Sequence, residues 1–278
     1  MQTKWYRTWI AAGASTALVV MIVRLVTSRG RDEFSLWPDE PAQLAMARFI
    51  GGGVPWSMHD HSTWQPGYAT LISPVHWFTD DPVTVLHTAL AVNAVLGGLA
   101  AWLLVLLVRR LTTLGPWTAA AIAALVALAP AALFTTEFVW SESLVAVLFP
   151  ATLLALLRFG DTPTIGRGVV AGGSAALAFA THSRMLPLAV VTIGLAVALA
   201  VQRRMHPRAA LAVIGSTAVA MVLVRLYAGF VFDRLWDTPS TTNSLGGVID
   251  HIGAPGTILI ALAGQAWYLL VTTAGIVL

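Results

Sequence analysis

The sequence predicts an all-α integral membrane protein. It would have about eight transmembrane helices and a long first extracytoplasmic loop carrying short interfacial helices. Three observations predict this class. Hydrophobic residues make up 57% of the 278 residues and charged residues only 10%, against roughly 25% charged in soluble globular domains. A soluble fold of this size could not keep so many apolar side chains out of water, and the same proportions exclude a disordered chain. Apolar stretches near the roughly 20 residues needed to cross a hydrocarbon core recur along the whole chain. Acidic and basic residues also sort to opposite sides of those stretches.

The first span is 8–27, preceded by Lys4 and Arg7. This basic start resembles a signal peptide, but no small-residue cleavage site follows, so it reads as a retained anchor. The remaining spans are 82–108, 117–134, 139–157, 168–182, 185–202, 208–232 and 255–278. The stretch 168–182 is short and rich in Gly and Ala. Together the spans form a single membrane module over 1–278, with outer loops at 28–81 and 233–254. In the first loop, 42–50 reads as a short helix with Leu44, Phe49 and Ile50 as its apolar positions, ended by Gly51-Gly52-Gly53. The stretch 66–78 reads as a second short helix, amphipathic and lying near the interface. Trp37, Trp56, Trp64, Trp77 and Tyr68 suit the headgroup level. Gly97-Gly98, Gly172-Gly173 and Ser174 permit close approach between helices. No internal repeat of the kind common in transporters is visible.

Charge placement fixes the count and the orientation. With the N-terminus cytoplasmic, the inner segments hold Lys4, Arg7, Arg109, Arg110, Arg158, Arg167, Arg203, Arg204 and Arg208, nine of the 16 basic residues. Short basic inner segments are what the positive-inside bias requires. Of the acids, Asp161 alone falls inside, and the other twelve of 13 fall outside. Joining 168–202 into one span would move Arg203, Arg204 and Arg208 outside, so two spans are preferred. The chain therefore reads as a multi-pass protein of the cell membrane whose chemistry lies on the extracytoplasmic side. Arg24, near the outer end of the first span, reads as snorkelling to the interface. The basic residues form no polybasic tract, so nucleic acid is not an expected partner. Cysteine is absent, which excludes thiol chemistry. No Gly-rich loop with Lys occurs, so an ATP-driven machine has no support.

The sharpest constellation is Trp37-Pro38-Asp39-Glu40-Pro41. Pro is favoured at the first helical position, which would put Glu40 at the cap and leave Asp39 available. Neighbouring carboxylates near a low-dielectric surface compete for charge. A carboxylate so tuned takes a proton from an alcohol in a transition state. The plain alternative is that both acids favour a helix N-terminus by charge alone. His59-Asp60-His61 offers nitrogen and oxygen ligands for a divalent cation, or is an interfacial polar loop. Glu137 and Glu142 flank the turn between the third and fourth spans. Glu142 either binds acceptor or cation, or merely meets its helix dipole. Arg184, after His182 at an outer turn, can hold a phosphate by paired hydrogen bonds or snorkel. Arg225 lies mid-to-outer in the seventh span, where an unpaired charge is costly, and is a second candidate for a phosphate.

Four strings in this order carry a resemblance. They are Asp39-Glu40 with Ala45-Met46-Ala47-Arg48, Trp64-Gln65-Pro66-Gly67-Tyr68, Thr136-Glu137 with Ser141-Glu142, and Thr181-His182-Ser183-Arg184. With one basic anchor span before them, they resemble the GT-C class of polyprenyl-phosphate-sugar-dependent glycosyltransferases. That class includes protein O-mannosyltransferases and lipid A aminoarabinose transferases. The resemblance covers 28–184, roughly half of the chain. It implies a cell-envelope enzyme whose donor is a polyprenyl-phosphate-linked sugar and whose acceptor is a hydroxyl of a protein, glycan or lipid. It gives Asp39 the role of catalytic carboxylate and Glu40 that of the partner tuning or orienting it. Glu137, Glu142, His182, Arg184, Gln65 and Arg225 then bind donor phosphate or substrate. Some members carry a Lys before the Pro of the second string, contacting the donor phosphate. Here that position is Gln65, which supplies no charge.

The implied reaction is a direct displacement with inversion. Asp39 takes the hydroxyl proton, and the departing phosphate needs a cation, an Arg or a metal, to stabilise it. No cofactor is firm, and a divalent metal is the one candidate. Full-length members usually carry more spans and often a C-terminal soluble domain. This chain ends at Leu278 inside an apolar segment, so it is expected to be a short relative or a fragment holding the core module. The rival classes are a secondary transporter or channel component, and a non-catalytic scaffold of the cell envelope. Convergence of Asp39, Glu142 and Arg184 at one outward-facing site would favour the enzyme. A site near the midplane would favour transport.

Overall fold

The computed structural model describes residues 2–34, 39–54 and 65–235. Among these residues 83% are helical and there is no strand. The helices are α1 (Gln2–Thr27), α2 (Asp39–Ile50), α3 (Gly67–Ile72), α4 (Pro82–Leu111), α5 (Pro116–Ala127), α6 (Pro130–Thr136), α7 (Glu142–Asp161), α8 (Ile165–Thr181), α9 (Leu186–Val201) and α10 (Pro207–Leu235). Short 3-10 turns Ser73–Trp77 and Ser183–Met185 follow α3 and α8.

Local chemistry sets the helix ends. A proline occupies the first turn of α4, α5, α6 and α9, where its missing N–H has no intrahelical partner to lose. Asp81 caps α4, its Oδ2 accepting from the Thr84 N–H at 2.8 Å and from the Thr84 hydroxyl at 2.6 Å. α2 ends where the sequence predicts, at the glycine run. Gly52 takes a φ of +95°, and the Gly51 and Gly53 N–H groups each donate at 2.9 Å to the Ala47 and Arg48 carbonyls. Its start differs from the expectation. Asp39 itself opens the helix, Pro41 is its third residue, and Glu40 is fully buried instead of capping. The 66–78 segment is not one helix either. Pro74 has no N–H to continue the α-ladder, so the Ser73 hydroxyl donates to the Thr70 carbonyl at 2.9 Å and the chain tightens into the 3-10 turn.

Among the described residues five helices are long and apolar enough to cross a membrane: Trp5–Thr27, Pro82–Leu111, Glu142–Asp161, Ser183–Val201 and Pro207–Leu235. The first, second, fourth, sixth and seventh predicted spans fall on them. The fifth falls on α8, an apolar helix of 17 residues. The third is not a single helix. Ala129 precedes Pro130 and takes an extended ψ of 142°, as pre-proline sterics favour, so the chain divides into α5 and α6. The eighth span, 255–278, and most of the outer loop 233–254 lie outside the described residues. Outward-facing side chains such as Leu125, 74% exposed, and Val201, 76% exposed, suit lipid and not water. Trp77 and Phe78, 67% and 86% exposed, stand out from the 3-10 turn as interfacial aromatics do.

Arg24 is not a snorkelling side chain. It is only 6% exposed and its Nη2 donates at 3.0 Å to the Ala127 carbonyl, the last of α5. The break before Pro130 leaves α5 with carbonyls that no later N–H meets, and Arg24 supplies a donor and a compensating charge. Gly97 makes room for it, since a Cβ there would lie within 2.6 Å of the guanidinium carbon.

α1 packs chiefly on α4 and α5, α4 on α7, α7 on α8, and α8 on α10. The closest approach uses α8 glycines. A Cβ on Gly172 would stand 2.6 Å from the Val213 carbonyl oxygen of α10, while around Gly173 the space is open. Of that predicted pair only Gly172 is a contact. Gly172→Ala is therefore expected to destabilise the protein by about 1–3 kcal/mol through overpacking. Gly173→Ala should be neutral or slightly stabilising through helix propensity. Thermal unfolding in detergent separates the two.

The chain alternates between two ends of the bundle. The N-terminal part of α1 and the termini bearing Arg109, Arg110, Arg158 and Arg167 share one end, lining neighbouring cavities. The other end gathers α2, α3 and the 137–141 connection over a core of Leu44, Met46, Tyr68, Leu86, Val139 and Val231.

Candidate functional site

The second end is built around a short stretch of non-helical backbone. Inside a bilayer, backbone polar groups outside helices must find partners in the protein. At three successive residues they find side chains from distant segments. Arg31 donates to the Glu137 carbonyl. Asn93 Nδ2, from α4, donates to the Phe138 carbonyl at 2.8 Å. The Val139 N–H donates at 2.8 Å to Glu40 Oε1. The other Glu40 oxygen is ion-paired and hydrogen-bonded to Arg31. The Arg31 guanidinium also lies 4.8 Å over the Phe138 ring. Asn93, 1% exposed, accepts at 2.6 Å from the fully buried Tyr68 hydroxyl. Burial pushes the Tyr68 phenol far above its usual range, so it stays a neutral donor.

The same connection carries a second cluster at its far end. Glu142 Oε1 lies 3.5 Å from His182 Nε2. The Arg184 N–H donates to His182 Nδ1 at 3.1 Å, which leaves the imidazole proton on Nε2, facing the carboxylate. The exposed Arg184 side chain adds its charge to the same Glu142. The second string reaches this cluster through Gly67, where a Cβ would stand 2.7 Å from the Ala180 carbonyl oxygen and 3.1 Å from Thr181 Cα. Only glycine lets α3 sit so close to the end of α8.

The predicted site residues therefore divide. Glu40, Glu137, Glu142 and His182 are brought to one end, with Arg184 beside them. Asp39 opens α2 half-buried, next to the anchored Glu40. Gln65 is near the α3 start, and its Oε1 is buried without a hydrogen-bond partner among the described residues, like Gln43 Oε1 and Ser143 Oγ. Buried polar atoms so left are the sites at which water or a ligand bonds. Arg225 is exposed on α10 and meets none of these residues. His59, Asp60 and His61 lie outside the described residues. Among the described residues no cluster of three His or acids is placed to hold a metal.

Sequence reading missed Arg31, Asn93, Gln43 and Ser143. Asn93 gave a signal, being an isolated amide in a 30-residue apolar helix, where polar groups are expensive. Arg31 gave a weaker one, as a base in a loop dominated by acids. No family model matches the chain, and no curated protein matches it.

The same end contains a pH-sensitive contact. The His76 side chain is 7% exposed, 3.9 Å from Asp80, and both its ring nitrogens lack hydrogen-bond partners among the described residues. Burial lowers its pKa, with Arg48 acting in the same direction and Asp80 opposing. The unfolded chain thus binds a proton below about pH 6.5 that the folded chain resists. Stability should fall as pH drops from 7.5 through 6.5 and level off below the folded pKa. His76→Phe should flatten this dependence, as melting temperatures at pH 7.5 and 5.5 would register.

Proposed function

We propose that this chain is a membrane glycosyltransferase of the GT-C kind. It would move a sugar from a polyprenyl-phosphate donor to a hydroxyl acceptor at the outer face of the cell membrane, with inversion. One observation carries the reading: the four strings that bear the resemblance touch one another at a single end of the bundle. The first meets the residues between the two halves of the third through Glu40 and Val139, the third meets the fourth through Glu142 and His182, and the second meets the fourth through Gly67 and Thr181.

In the step this reading describes, the acceptor oxygen forms a bond to the anomeric carbon while its proton passes to Asp39. The bond from that carbon to the phosphate oxygen breaks, and polyprenyl phosphate leaves with the electron pair. Unlike a glycosidase leaving group, the phosphate needs no acid. Arg184 supplies positive charge to it, with Gln65 as a neutral donor. Glu142 and His182 orient the acceptor. Glu40, saturated by Arg31 and Val139, positions the Asp39 backbone and takes no part in proton transfer. The N-terminus is cytoplasmic, and eight crossings result if α5–α6, α8 and 255–278 each traverse the membrane.

The reading also leaves a divalent cation at His59, Asp60 and His61 as a cofactor to be tested. A transporter, the second class, would place its ionisable groups near mid-depth, whereas these lie at helix ends. The deciding assay supplies the purified full chain with labelled polyprenyl-phosphate sugars and hydroxyl acceptors, with and without chelator. Label leaving the lipid supports the reading, and chelator sensitivity supports the metal. Retention of label with every donor, in protein that is folded by its melting transition, overturns it.

A further inference from the structure

We propose that the arginine-rich end of the bundle holds an anionic phospholipid, separate from the site above. Its phosphate would rest on Arg158 and Arg109, and an acyl chain would lie along Leu106 and Leu154.

The shape comes first. A cavity of about 580 Å³ opens between α1, α4 and α7, and one of about 600 Å³ between α4, α7 and α8. Leu106, Leu154 and Arg158 line both. Each volume falls within the roughly 300–1,000 Å³ of small-molecule sites.

The charge is unbalanced in the same place. Arg109, Arg110, Arg158 and Arg167 line the two cavities, and one acid, Asp161, pairs with Arg110. Among the described residues the local balance is four positive charges less one, or +3. Arg109 is held over the Trp5 and Trp9 rings at 4.7 and 5.2 Å, which positions its charge at low entropic cost. Arg167 donates to the Arg158 and Thr162 carbonyls. The Arg158 guanidinium has no ion pair or hydrogen bond among the described residues, and it stands where the two cavities meet.

The lining has two chemical halves. A phosphate with acyl chains fits both halves of the lining, the guanidinium groups and the wall of Ile10, Leu106 and Leu154. Inorganic phosphate satisfies only the first. Basic pockets between membrane helices bind anionic headgroups on these terms.

The test uses the purified full chain in neutral detergent and counts retained lipid by native mass spectrometry. Phosphatidylglycerol should be retained about fivefold or more over phosphatidylcholine, since each arginine contact contributes about that factor. Arg158→Gln should remove most of that preference, and Arg204→Gln, on the α9–α10 turn, should leave it intact. Leu154→Trp keeps every charge and fills the apolar wall, so it should lower retention of phosphatidylglycerol. Millimolar inorganic phosphate should not displace the lipid. Equal retention of the two lipids, an unchanged preference in Arg158→Gln, or displacement by phosphate would each overturn the proposal.

Discussion

Asp39→Asn is expected to reduce sugar transfer by about 10²–10⁴-fold, the usual worth of a positioned proton acceptor. The amide keeps the shape of the carboxylate and cannot take the acceptor's proton. The loss should fall on the rate and not on donor binding, because the phosphate is assigned to Arg184 and not to Asp39. Folding should change little. Asp39 is half-buried in the first turn of α2, asparagine keeps its shape, and the variant leaves the Glu40 anchors in place. Melting of Asp39→Asn within about 0.5 kcal/mol of the parent, together with lost transfer, is the combined expectation. Full transfer by this variant at equal expression removes Asp39 from the chemistry.

Glu40→Ala should act on stability instead, by about 3–5 kcal/mol, the cost of breaking a buried ion pair from one side. Glu40 is fully buried and its partner Arg31 nearly so, with 20% of that side chain exposed. The alanine strands the Arg31 charge and removes the acceptor of the Val139 N–H, and each buried group left unmet adds its own desolvation cost. Glu40→Gln should fall between, since its carbonyl can still receive the Val139 N–H. The double variant Arg31→Met with Glu40→Gln should be less destabilised than the sum of its parts, because no charge is then stranded. Chemical unfolding in detergent measures all four, and a Glu40→Ala variant within about 1 kcal/mol of the parent would refute the anchoring role.

The membrane class was legible because the signal is long and redundant. In α4 and α10 the apolar run far exceeds what any competing local preference could interrupt. The division of α5 from α6 was not legible from hydropathy. Pro130 was visible, yet Pro150 sits inside α7 without ending it, so a proline alone does not decide. What differs is that Arg24, over a hundred positions earlier, is at hand to meet the Ala127 carbonyl. The sequence showed Arg24 only as a base near a span end, which more often means snorkelling. The site follows the same logic. The acids and His182 could be singled out by type and position. That Glu40 would be consumed by Val139 and Arg31 depends on contacts across 99 residues, which one sequence without relatives does not encode locally.

The connection at 137–139 also bears on how the protein is made. Its partners, Arg31, Glu40 and Asn93, all leave the ribosome before it does. The socket can thus stand ready when the segment emerges. Moving residues 1–113 to the C-terminus by permutation, with the cut in the α4–α5 connection, would reverse that sequence. The segment would enter the bilayer with its carbonyls bare, and yield of inserted protein should fall.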